Sequence, residues 1–141
     1  SDKFRGTSVT LSADFKTEGN RSGLLAYGPT RGKNVSAAYY RWTSVTLSQY
    51  SAIRMDVKNP TDHEIAFRLG ISTRSGEWCE YAGNVGCSPK TRATVEFNLD
   101  RPIYGSRINT GIARIVLIID PSESPGEVYI DNIRLLGSRE R

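Results

Sequence analysis

Five aromatic side chains gather in two short stretches of this chain: Tyr39, Tyr40 and Trp42 in SAAYYRW, and Trp78 and Tyr81 in EWCEYA. A ring with a polar tip suits stacking on a sugar, because the C–H groups of a pyranose present an apolar patch to a π face. Arginines and aspartates on a nearby strand face, here Arg54, Asp56 and Arg68, are suited to hydrogen-bonding the hydroxyls around such a stack. Neighbouring residues on a strand point opposite ways, so one of Tyr39 and Tyr40 is expected to face outward. Trp42 leads into a strand and is expected in the core. Trp78 and Tyr81 stand in a polar stretch and are expected to be exposed.

Other chemistries find less support. The one histidine, His63, lies in the turn NPTDH and reads as a solvated turn residue. No GxSxG and no Ser/His/Asp arrangement is present, nor is a GxGxxG or phosphate-binding loop. Two carboxylates could hydrolyse a glycoside, but 15 acidic residues make some such pair inevitable in any fold. Asp131 is more pointed, because it interrupts the strand-like run EVYIDNIRLLG. An acid there is paired, liganded or turned to solvent. Ca²⁺ takes six to eight oxygens. Asp14 and Glu18 end the first strand-like stretch, and would converge with Asp131 if the first and last strands are neighbours. The alternative is that Asp131 accepts hydrogen bonds from backbone amides or an arginine. Cys79 and Cys87 flank CEYAGNVGC with no second Cys or His pair, which argues against zinc. The expectation is a local disulfide in an extracellular protein, against two free thiols in a reducing compartment.

The elements that position these residues are strands. TSVTLSADF, AIRMDVK, EIAFRLGIS and the stretch Thr91–Leu99 alternate apolar and polar residues, the period of a half-buried strand. Ile115–Ile119 is continuously apolar and rich in β-branched residues, as in a strand buried on both faces. AIRMDVK and EIAFRLGIS, joined by NPTDH, read as an antiparallel hairpin whose polar face presents Arg54, Asp56, Lys58 and Arg68. No 3.6-residue amphipathic period runs for ten residues. The 13 glycines and 6 prolines fit many turns. The expected fold is all-β: an antiparallel β-sandwich of two sheets with eight to ten strands. It spans residues 1–137, with 138–141 as a linker stub of a longer protein. The net charge of +4 is mildly basic, and its arginines are spread along the chain, so nucleic acid is not an expected partner. No stretch approaches a membrane span, and the first ten residues do not read as a signal peptide.

Three segments, taken in order, resemble the β-jelly-roll carbohydrate-binding modules appended to bacterial polysaccharide-degrading enzymes. They are FKTEGNRSGLLAYG, then YRWTSVTLSQYSAIRMDVKNPTDHEIAFRLGIS, then EVYIDNIRLLG. The resemblance implies a convex and a concave sheet in a galactose-binding-like sandwich. It implies a secreted or cell-surface bacterial setting, a covalently attached catalytic domain, and a monomer whose partner is a poly- or oligosaccharide. It implies a structural Ca²⁺ away from the ligand, held by Asp131 and less surely by Glu18 or Asp14. It maps Arg54, Asp56, Arg68, Trp78 and Tyr81, with Tyr39 or Tyr40, onto the sugar site. The Cys79–Cys87 loop departs from the pattern. Two other functions compete: a small jelly-roll glycan hydrolase or lyase, and a structural accessory domain that binds no sugar.

Overall fold

The alternating stretches AIRMDVK, EIAFRLGIS and Thr91–Leu99 each carry a strand whose apolar row faces inward. The computed structural model describes residues 7–9, 23–27, 36–41, 46–119 and 126–137, with side chains placed at 46–119 and 128–137. Within them lie nine strands: β1 (Thr7–Val9), β2 (Gly23–Tyr27), β3 (Ser36–Arg41), β4 (Tyr50–Asn59), β5 (Phe67–Thr73), β6 (Trp78–Ala82), β7 (Thr91–Asn98), β8 (Ile112–Ile119) and β9 (Gly126–Gly137). They form a five-stranded sheet, β1-β2-β9-β4-β7, and a four-stranded sheet, β3-β8-β5-β6. Every pairing is antiparallel. The described residues contain no helix.

The core fills the space between the sheets. From β4 it takes Ile53, Met55 and Val57, and from β5 Phe67, Leu69 and Ile71. Val95 and Phe97 come from β7, and Val128 and Ile130 from β9. β8 behaves as its unbroken apolar run predicts. Ile115, Leu117 and Ile119 join the core, while Val116 and Ile118 are only 5% and 4% exposed on the opposite face.

Two expectations fail here. The stretches around Arg54 and Arg68 alternate as read, but they do not form a hairpin. β4 pairs with β7 and β9, and β5 with β6 and β8, in the other sheet. The segment between them crosses from sheet to sheet, and Asn59 builds that corner. Asn59 is fully buried. Its amide donates to the carbonyls of His63 (2.8 Å), Cys87 (3.0 Å) and Ser88 (3.2 Å). Its Oδ1 accepts from the Thr61 amide and hydroxyl at 2.9 and 2.6 Å. A buried side chain saturated in this way fixes a chain reversal as firmly as a hairpin turn does.

The Cys79–Cys87 disulfide does not form, and both thiols are free and buried. Cys79 stands opposite Ile71, and Cys87 opposite Ile65. Six residues of extended chain hold the two cysteines about 20 Å apart, beyond the reach of any disulfide. The Cys87 thiol donates to the Thr91 carbonyl at 3.4 Å.

Candidate functional site

The crossover at Asn59 decides which predicted site residues meet. Arg54 and Asp56 lie on the outer face of the five-stranded sheet, and Arg68 and Trp78 on the outer face of the four-stranded sheet. The predicted site is therefore split between opposite sides of the sandwich.

On the five-stranded side, cross-strand pairing occupies the polar groups. Arg54 Nη2 bonds Glu96 Oε1 at 2.7 Å. Asp56 accepts from Thr94 at 2.9 Å and Asn132 at 3.1 Å, with Arg134 at 3.4 Å. Burial works against the Asp56 carboxylate, but those hydrogen bonds and the Arg134 charge outweigh it and hold its pKa below the ordinary value of 3.8. Asn132 has φ +55°, a left-handed conformation that asparagine tolerates. It sits at a bulge, since Asp131 pairs with Asp56 while Arg134 pairs with Arg54: two residues of β9 stand against Met55. The bulge aims the Asn132 amide at Asp56. Lys58 Nζ lies 5.9 Å from the Tyr129 ring centroid. Asp56, Lys58, Arg92, Thr94, Tyr129 and Asp131 line a shallow groove of about 630 Å³.

Asp131 points outward there, and no hydrogen bond or ion pair engages it among the described residues. It directly follows Ile130, the partner of Gly23 at the start of β2. Glu18 and Asp14 lie outside the described residues. β1 does not adjoin β9, because β2 runs between them. Among the described residues no three acids, histidines or cysteines gather as a metal site. Asp131 therefore offers one uncommitted hard-oxygen ligand, which fits a Ca²⁺ site only if further oxygens come from outside the described set.

The four-stranded sheet offers a different surface. Its register gives three rows across the strands. The first is Arg41, Arg114, Ser72 and Trp78; the second Tyr39, Val116, Gly70 and Glu80; the third Ala37, Ile118, Arg68 and Ala82. Val116 and Ile118 pack against the half-buried Trp78. That contact needs a glycine between them. A Cβ at Gly70 would lie 2.2 Å from Trp78 Cη2 and 2.5 Å from Cζ2, so only glycine lets the six-membered ring cross β5. Trp78 Nε1 donates to Glu80 Oε2 at 2.9 Å. Arg68 Nη1 bonds Glu80 Oε1 at 2.7 Å. The result is an apolar platform with charged hydrogen-bonding groups at its rim, and Tyr39 is the register partner of Val116 while Tyr40 is that of core Ile115.

Tyr81, expected to be exposed, is 1% exposed. The sequence shows no amphipathic signal strong enough to mark Trp78–Ala82 as a strand, yet β6 forms and alternates: Trp78 and Glu80 outward, Cys79 and Tyr81 inward. Tyr81 donates to the Leu99 carbonyl at 3.2 Å. Burial, reinforced by Cys79, raises its phenol far above the ordinary tyrosine range, so it stays protonated.

Two residues of this face were not legible in the sequence. Glu80 stands on the edge strand β6, where it bonds both Trp78 and Arg68. Tyr104, in what reads as a plain connection, bridges to Glu80 and is 64% exposed, extending the second row past the edge of β6. Gly105 permits this approach: its φ is +76°, and a Cβ there would meet the Trp78 carbonyl at 2.4 Å.

No protein-family model and no curated protein matches the chain by sequence. The fold matches solved structures. One is the family 11 carbohydrate-binding module of the cellulosomal cellulase Lic26A-Cel5E of Clostridium thermocellum, with TM-score 0.61 and 17% identity, covering 94% of this chain and 82% of that one. The same family's module has been solved with a β-1,3-1,4-mixed-linked tetrasaccharide. A second is a family 28 module specific for non-crystalline cellulose, with TM-score 0.61 and 15% identity, covering 95% and 89%. An exo-β-agarase matches with TM-score 0.68 and 14% identity over 94% of this chain but 23% of its own. The chain shares the jelly-roll sandwich of these modules.

Proposed function

We propose that the chain is a non-catalytic carbohydrate-binding module that holds an attached polysaccharide-degrading enzyme on its substrate, outside a bacterial cell. The observation that carries this reading is the Trp78 ring lying across Gly70, backed by Val116 and Ile118 and rimmed by Arg68, Glu80 and Tyr104. A half-buried indole on the outer face of a sheet is suited to carry a sugar ring. Arg68 and Glu80, locked together, are preorganised to bond hydroxyls. Among the described residues Glu80 is the one acid on this face, and Arg68 and Trp78 engage both its oxygens. That arrangement is unlike the paired carboxylates of glycoside hydrolysis. Binding modules from polysaccharide-degrading systems share the sandwich, and the agarase match embeds it in a longer enzyme. Tethering raises the effective concentration of the enzyme at the polymer without any new chemistry.

The test is calorimetric titration with a panel of plant and algal polysaccharides. Trp78→Ala should weaken binding by about 1–3 kcal/mol, the range for burying a large apolar side chain. Tyr129→Ala, on the opposite face, should leave it unchanged. The reverse pattern moves the site to the five-stranded groove. Turnover of any polymer by the isolated chain replaces this reading with the hydrolase or lyase one.

The proposal includes a structural Ca²⁺ held by Asp131, with Glu18 or Asp14 and backbone carbonyls. The uncommitted Asp131 carboxylate beside the start of β2 supports it.

A further inference from the structure

We infer that the polymer taken by the four-stranded face is anionic, carrying carboxylate or sulfate groups, and that Arg114 reads them. This rests on the binding reading above and adds the class of ligand.

Among the described residues, four half-buried arginines have counter-ions. Arg54, Arg68, Arg107 and Arg134 each lie within 3.4 Å of a carboxylate oxygen. Arg114 is half-buried as well, and among the described residues it has no such partner. Among the described residues its one hydrogen bond runs from Nε to Ser72 Oγ at 3.2 Å. A guanidinium carries five N–H donors, so both Nη groups stay available. The neighbouring acid, Glu80, is fully engaged by Arg68 and Trp78. Among the described side chains of this face, Arg114 is thus a positive charge that no carboxylate neutralises.

Arg114 and Trp78 share one row, two strand spacings apart, or about 10 Å. A sugar stacked on Trp78 sends the adjoining part of its chain across Ser72 towards Arg114. A planar guanidinium takes a carboxylate or sulfate through paired hydrogen bonds. The surplus of 19 lysines and arginines over 15 acids adds a weaker, long-range attraction.

The experiment titrates the intact chain with three probe sets: polygalacturonate against its methyl-esterified form, a sulfated galactan against its desulfated form, and a neutral mixed-linked β-glucan. At low salt one charged polymer should bind about tenfold tighter than its uncharged counterpart, the scale of a hydrogen bond to a charged group. That advantage should shrink at high salt. The pair that shows it distinguishes carboxylate from sulfate. Arg114→Gln should bring the ratio close to one with thermal unfolding unchanged, and Arg114→Lys should keep part of it. Equal binding of charged and neutral forms, a preference for the β-glucan, or a ratio that survives Arg114→Gln overturns the inference and leaves sugar binding standing. Failure of every polymer to bind overturns both.

Discussion

At the scale of single residues, the proposed site depends on an absent methyl group. Gly70 is the position over which Trp78 passes, and a Cβ there would come within 2.2 Å of the ring. Gly70→Ala should displace the indole, shift its N–H resonance, and weaken polysaccharide binding by about 1–3 kcal/mol through loss of the stacked surface. The added methyl faces away from the core, so the sandwich should survive. Undiminished affinity in a folded Gly70→Ala protein would defeat the platform argument. On the opposite face, Asp56 makes a pH prediction. Its folded pKa is depressed, so its contribution to stability is fully present above the unfolded value and is lost as pH falls through the folded one. Thermal unfolding of the wild type and Asp56→Asn should therefore differ by a constant margin near neutral pH, and by less once the pH drops below the ordinary value of 3.8. A margin that does not change with pH would show that the carboxylate's charge is not what stabilises this cluster.

At the scale of elements, the strand faces were legible in the sequence and their neighbours were not. Alternation states which side chains of β4, β5 and β7 point inward, and each of those rows is buried. It says nothing about which strand lies alongside, because a polar row on one sheet looks like a polar row on the other. Arg54, Asp56 and Arg68 were therefore grouped on one surface when two sheets separate them. The disulfide failed for a related reason: spacing in sequence cannot show that the extended stretch from Ile65 to Ile71 holds the two cysteines about 20 Å apart. Trp78 was singled out from composition, but its seat on Gly70 depends on the β5–β6 pairing, which no local pattern announces. The element that separates the surfaces is testable. Asn59→Ala strips the Thr61 amide of its acceptor and removes the side-chain bonds to the His63, Cys87 and Ser88 carbonyls, and the loss of such bonds is destabilising. We expect a loss of about 2–3 kcal/mol in urea unfolding. A change within about 0.5 kcal/mol, the range of ordinary surface substitutions, would mean that the crossover is held by the packing of its flanking strands instead.

At the scale of the whole molecule, the two proposed sites fall on opposite outer faces. The proposed sugar platform lies on the four-stranded sheet, and Asp131 lies on the five-stranded sheet, with the core between them. A cation bound beside Asp131 would tie β9, the strand between β2 and β4, to the chain that enters β2. It would leave the sugar face untouched. An ion that binds the folded chain and not the unfolded one adds RT ln(1 + [Ca²⁺]/Kd), about 2.7 kcal/mol at a hundredfold excess over Kd. For a domain of this size that amounts to a rise on the order of 8 °C in melting temperature. Melting should therefore fall when EDTA is added and recover when Ca²⁺ is restored. In Asp131→Ala the starting melting temperature should already be low and indifferent to EDTA. Polysaccharide affinity, measured well below the transition, should be the same with and without chelator because the ligand sits across the core from the ion. Identical melting curves with and without EDTA would remove the cation and leave Asp131 as a solvated carboxylate. A chelator that abolished sugar binding in a still-folded protein would bring the ion into the binding face and break the separation argued here.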